Sequence, residues 1–118
     1  MPKIAEYMVS YYAGGLSNSE PRCRIWLYDD YRKRVGLLIF HRQANTLPAQ
    51  DSFDRDKPWY ELHFHSEDYP RILDLLRNET PLYVGMVHDQ AEGQIGWVGT
   101  MSEPVGEGEN HITLLPRT

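Results

Sequence analysis

SEDYPRILDLLRNETPLYVGMVHDQAEGQIGWVGT, residues 66–100, reads as one amphipathic helix followed by a β-hairpin. Tyr69, Ile72, Leu73 and Leu76 follow the spacing i, i+3, i+4, i+7, and Leu75 widens the apolar stripe to that of a helix lying on a core. Asp68 and Ser66 both offer an N-cap oxygen. Asp68 is favoured, because Pro70 then falls in the first turn, where its missing N–H costs nothing. Asn78 suits a left-handed C-terminal residue, Arg77 sits well at the negative end of the helix dipole, and Pro81 blocks continuation. A helix this short needs tertiary packing, and with no other helical periodicity in the chain a sheet must supply it. Leu82 to His88 and Gln94 to Thr100 form the hairpin, and Gly85, Gly96 and Gly99 within it point to bulges or close backbone approach.

Upstream, Ile4 to Tyr12 reads as a strand, with Ala5, Tyr7, Val9 and Tyr11 facing one way and Glu6, Met8, Ser10 and Tyr12 the other. Arg22 to Tyr28 alternates more cleanly, Cys23, Ile25 and Leu27 against Arg24, Trp26 and Tyr28. It pairs across the charged turn DDYRK with Arg34 to His41, whose apolar run from Leu37 to Phe40 suits a central strand buried on both faces. Gln43 to Pro58 is a polar connection longer than most, a sign of function or mobility. Trp59 to His65 is a further strand, with Tyr60, Leu62 and Phe64 inward and Trp59, Glu61, His63 and His65 outward. From Met101 the chain becomes an acidic, Gly-rich tail ending in the short apolar patch Ile112 to Leu115.

The expected order is therefore β-β-β-β-α-β-β in a single α+β domain spanning residues 1–118. Sequential antiparallel strands would make a curved sheet or partial barrel of about six strands, with the helix against its open side.

A net charge of −5 disfavours nucleic acid and acidic membranes as partners. The longest apolar runs fall far short of a membrane span, and the start MPKIAEYMVSYY carries no signal-peptide core. With Cys23 as the single cysteine an internal disulfide is impossible, and a cytoplasmic location is expected.

Three constellations bear on function. The outward aromatics Trp26, Tyr28 and Trp59 would form an exposed binding surface, with the 43–58 connection at its rim; a homodimer, or another protein partner, would cover it. Glu61-x-His63-x-His65 puts a carboxylate and two imidazoles on one face of one strand, a means of offering two nitrogens to a divalent transition metal. That needs a third ligand from another strand, and His41 and His88 stand at predicted strand ends; the plainer reading is three solvent-facing residues. No other cofactor is expected. Third, four strands before a helix resembles the topology of Whirly and PUR-type single-strand-binding folds, and Arg24, Trp26, Tyr28, Arg32, Lys33 and Arg34 would suit stacking of bases. Cys23 shares a face with Ile25 and Leu27 and reads as a buried small hydrophobe, not a nucleophile. Asp51, Asp54 and Asp56 lack the fixed spacing of a calcium loop. No Gly-rich phosphate loop, nucleophile elbow, His-Glu-x-x-His or paired-Cys knuckle is present, so catalysis is disfavoured.

LLRNETPLYVGMV (75–87) and GTMSEPVGEGE (99–109) resemble the C-terminal half of a group of small uncharacterised bacterial proteins. The resemblance implies a bacterial source and the hairpin-plus-acidic-tail arrangement, and it implies no activity.

Overall fold

The structure is a computed structural model, and it describes residues 2–12, 23–42, 51–53, 56–91 and 93–101. The tail beyond Met101, with its apolar patch, and most of the 43–58 connection lie outside these. The elements are β1 (Lys3–Ile4), β2 (Glu6–Tyr11), β3 (Cys23–Tyr28), β4 (Arg34–His41), β5 (Ser52–Phe53), β6 (Tyr60–His65), α1 (Tyr69–Asn78), β7 (Leu82–Asp89) and β8 (Gly93–Gly99). This is an α+β fold, with one α-helix and mostly antiparallel strands among the described residues. Among the described residues no helix is long and apolar enough to cross a membrane.

The strands form two sheets, β2-β3-β4-β6-β5 and β1-β7-β8, where a single curved sheet was expected. The expected first strand is two short ones. Lys3 and Ile4 pair with β7, whereas Glu6 to Tyr11 pair with β3, so the chain passes between sheets at Ala5. There the Ala5 N–H donates to the Tyr28 carbonyl at 2.7 Å.

β4 and β6 are parallel, which corrects the all-antiparallel expectation. A parallel neighbour needs a long connection to bring the chain back to the same end of the sheet, and the long segment between His41 and Tyr60 provides it. Its length is therefore a requirement of topology.

The core follows from period two. Cys23, Ile25 and Leu27 are buried, and so are Leu38, Phe40 and Leu62 on the neighbouring strands. Burying each of the larger side chains contributes about 1.5–3 kcal/mol. Onto this face α1 lays Ile72, with Tyr69, Leu75 and Leu76 partly buried beside it. β4 is buried on both faces as its sequence suggests, Leu37 and Ile39 being only 7% and 8% exposed.

The helix begins at Tyr69, with Pro70 in its first turn, after a 3₁₀ turn over Ser66–Asp68. Two details differ from expectation. Asp68 makes no side-chain cap; instead His65 Nδ1 accepts the Glu67 N–H at 3.2 Å and caps the 3₁₀ turn. Asn78 stays helical, because its side-chain amide donates back to Asp74 Oδ1 at 2.6 Å, and Glu79 serves as C-cap in an extended conformation.

The β7–β8 register is continuous from Tyr83↔Gly99 to Asp89↔Gly93, so the internal glycines mark no bulge. Gly96 marks a close approach: a Cβ there would stand on the Leu62 side chain of the other sheet. The sheets are also stapled at this point. Asp51 accepts the His63 N–H through Oδ1 at 2.8 Å and the Gly96 N–H through Oδ2 at 2.7 Å, so one carboxylate bridges β6 and β8.

Candidate functional site

The face of β4 and β6 turned away from the core carries the polar groups. In the parallel register Ile39 stands beside His63 and His41 beside His65. Paired residues share a face, so Leu37, Ile39 and His41 lie with Glu61, His63 and His65.

This face is not simply solvent-facing, as the alternation alone suggested. His41 is 7% exposed and the His63 side chain 12%. The two imidazoles meet: His41 Nε2 lies 2.9 Å from His63 Nδ1, with ring centroids 5.1 Å apart and planes tilted by 36°. On its far side His63 Nε2 is 3.9 Å from Glu61 Oε2.

Burial holds both histidines below the ordinary imidazole pKa. For His41 the neighbouring His63 adds to this, whereas for His63 the carboxylates of Glu61 and Asp51 oppose it. Both rings are accordingly neutral at pH 7, and the Glu61 contact is a carboxylate facing a neutral ring. If His63 keeps its proton on Nε2 toward Glu61, its Nδ1 accepts from His41 Nε2–H, and His41 Nδ1 is left with a bare lone pair. That nitrogen is buried and has no hydrogen-bond partner among the described residues.

The structure thus brings Glu61 and His63 together with His41. The third histidine, His65, turns to the start of the helix, where Nδ1 accepts from Glu67 and lies 3.8 Å from its carboxylate. Among the described residues no group of three or more His, Cys, Asp or Glu side chains is placed to hold a metal.

The expected aromatic surface does assemble, but within the chain. Trp26 and Trp59 meet edge to face with centroids 5.3 Å apart, and Arg34 covers the Trp26 ring at 4.5 Å. Both tryptophans and Tyr28 are half-buried, so they are less bare than outward alternation implies. The arginines grouped as a base-stacking set have partners too: Arg24 lies over Tyr12 at 5.5 Å, and Arg32 reaches Glu6 at 3.5 Å.

Cys23 is 2% exposed, and burial pushes its thiol up to about 11, which fits a core residue and not a nucleophile.

Sequence reasoning named His41 as a candidate neighbour without placing it against His63, and it missed the Asp51 staple. The signal for the first was present in part. A β4 buried on both faces implies that its neighbour's outer face is shielded as well.

Comparison with protein-family models, with curated proteins and with solved structures finds no match for this chain.

Proposed function

We propose that this chain is a non-catalytic assembly module that works as a homodimer, two copies pairing antiparallel along β2. The observation that carries this reading is the open edge of β2. Among the described residues Glu6–Tyr11 stands at the end of the five-stranded sheet and pairs only with β3.

Sheets whose edges stay single usually blunt them with lysine, proline or a bulge. β2 reads EYMVSY, with Glu6 as its one charge, and its register with β3 is unbroken. Met8 and Tyr11 are 47% and 66% exposed.

A twofold axis perpendicular to the sheet preserves its faces, so paired residues must both be even-numbered or both odd-numbered. Placing Val9 opposite Val9 puts Tyr7 against Tyr11 and Met8 against Ser10. Glu6 then faces Tyr12 and not its own copy. Cross-strand aromatic pairs of this kind each contribute about 0.2–1 kcal/mol.

Met8 is the register partner of Trp26, and Glu6 of Tyr28. The joined sheet therefore carries Trp26, Tyr28 and Trp59 of both copies beside the junction, as the surface for a protein partner. A bacterial, cytoplasmic setting belongs to the same reading, and a lone buried thiol suits a reducing compartment.

Met8→Lys tests the reading, since it adds a charge at an exposed edge position and spares the core. Light scattering after gel filtration should show a dimer for the wild type and a folded monomer for the variant. A wild-type monomer, or a variant that remains dimeric, would refute it.

A further inference from the structure

We propose that the outer face of the β7–β8 hairpin is the docking site of this chain's own C-terminal segment, with Ile112, Leu114 and Leu115 as the side chains that seat on it. The inner face of this sheet belongs to the core. Leu82 is 4% exposed and Val84 0%, Val98 packs against the same cluster, and Gly96 lies on Leu62. Alternation turns Tyr83, Gly85 and Val87 the other way, and the register sets Gly99, Trp97 and Ile95 beside them.

From Tyr83 to Val87 and from Ile95 to Gly99 that outer face is apolar. Val87 and Ile95 are register partners and stand 52% and 39% exposed. Tyr83 and Trp97 are half-buried. Trp97 Cε3 lies 3.9 Å from where a Cβ on Gly99 would stand, so the indole leans along the face toward that end. Lys3, the register partner of Tyr83, adds a positive charge there. An antiparallel sheet with one face in the core ordinarily turns polar side chains outward. A face built instead of valine, isoleucine, tyrosine and tryptophan marks a contact surface.

The chain supplies an occupant of matching chemistry. The described residues end at Met101, just past Gly99, so residues 102–118 start from the Lys3 end of this face. Their first part, SEPVGEGEN (102–110), sets Glu103, Glu107 and Glu109 against that lysine, and Gly106 and Gly108 let the backbone reverse. At about 3.3 Å per residue, residues 102–110 reach about 30 Å. The face is about 14 Å long from Gly99 back to Ile95. Ile112, Leu114 and Leu115, the apolar part of the segment, are therefore within reach of Trp97, Ile95 and Val87.

The test is a methyl NOE measurement on the full chain with isoleucine, leucine and valine methyls labelled. Cross-peaks from Val87 and Ile95 to Ile112, Leu114 or Leu115 are expected. A full-chain Leu114→Asp, Leu115→Asp variant should lose them and shift the Trp97 indole resonance. A wild-type spectrum without these cross-peaks overturns the proposal, and it decides the question even if the variant fails to fold. A folded variant whose Val87, Ile95 and Trp97 signals match the wild type overturns it as well. Mixing labelled with unlabelled chains separates the occupants, since cross-peaks that run between copies would put a second copy on the face and refute the proposal. Pairing along β2 is read separately: Met8→Lys should leave every one of these cross-peaks in place.

Discussion

Single residues set the balance of this fold at its outer face. His41 and His63 are both held below the ordinary histidine pKa of about 6.5 by burial. The unfolded chain therefore binds more protons than the folded one once pH falls below that ordinary value. Stability is complete above it and is lost progressively as pH drops toward the depressed folded values. Urea melts at pH 7.5 and pH 5.5 should show a lower midpoint at the acidic pH, and a His41→Gln, His63→Gln double variant should lose less; equal midpoints for the wild type would contradict this. Gly96 is the other sensitive residue. Its Cα carries Leu62 directly, so Gly96→Ala should cost about 1–3 kcal/mol through overpacking. Gly99→Ala should be nearly silent, because among the described residues its added carbon meets only Trp97, at 3.9 Å. Denaturant midpoints for the two variants measure the contrast. Period two placed Glu61, His63 and His65 on one face correctly. It left their burial and the partner His41 open, since both depend on which strand lies alongside β6.

Among elements, the helix and the β7–β8 hairpin were legible because their signals are local: apolar spacing, a proline in the first turn, alternation on both sides of a polar turn. The β3–β4 hairpin was legible for the same reason. What local pattern does not carry is which strand lies beside which. Alternation continues unbroken through Ala5 while the chain changes sheets, and nothing within β4 or β6 announces that they run parallel. The connection between them had the length a parallel pair requires, and that length admits mobility as an equal reading. Asp51, near the end of that connection, shows what the segment does for the elements around it. Asp51→Ala removes both acceptors of the β6–β8 staple, and charge-assisted bonds of this type contribute about 1.5–3 kcal/mol each. The variant should lose about 2–3 kcal/mol, less than the full sum because the carboxylate is only half-buried. Its mark would be faster hydrogen exchange at the amides of His63 and Gly96 than elsewhere on β6 and β8. Uniform acceleration along both strands would mean that Asp51 stabilises the domain without stapling these edges.

At the scale of the described residues, α1 covers one side of the core, and β2 leaves a six-residue edge that no other described strand pairs. Composition and charge bounded the partners from the start, and a homodimer was expected from the outward aromatics. The structure moves the emphasis. Trp26 and Trp59 pack against one another and Arg34, and the edge left without a partner among the described residues lies one strand beyond Trp26. Native mass spectrometry of the untagged chain, wild type beside Met8→Lys, tests this most directly. The account predicts the wild type at twice the chain mass and the variant at the chain mass, with the same folded charge-state distribution. A wild-type protein at the single chain mass, or a variant that stays at twice that mass, would contradict it.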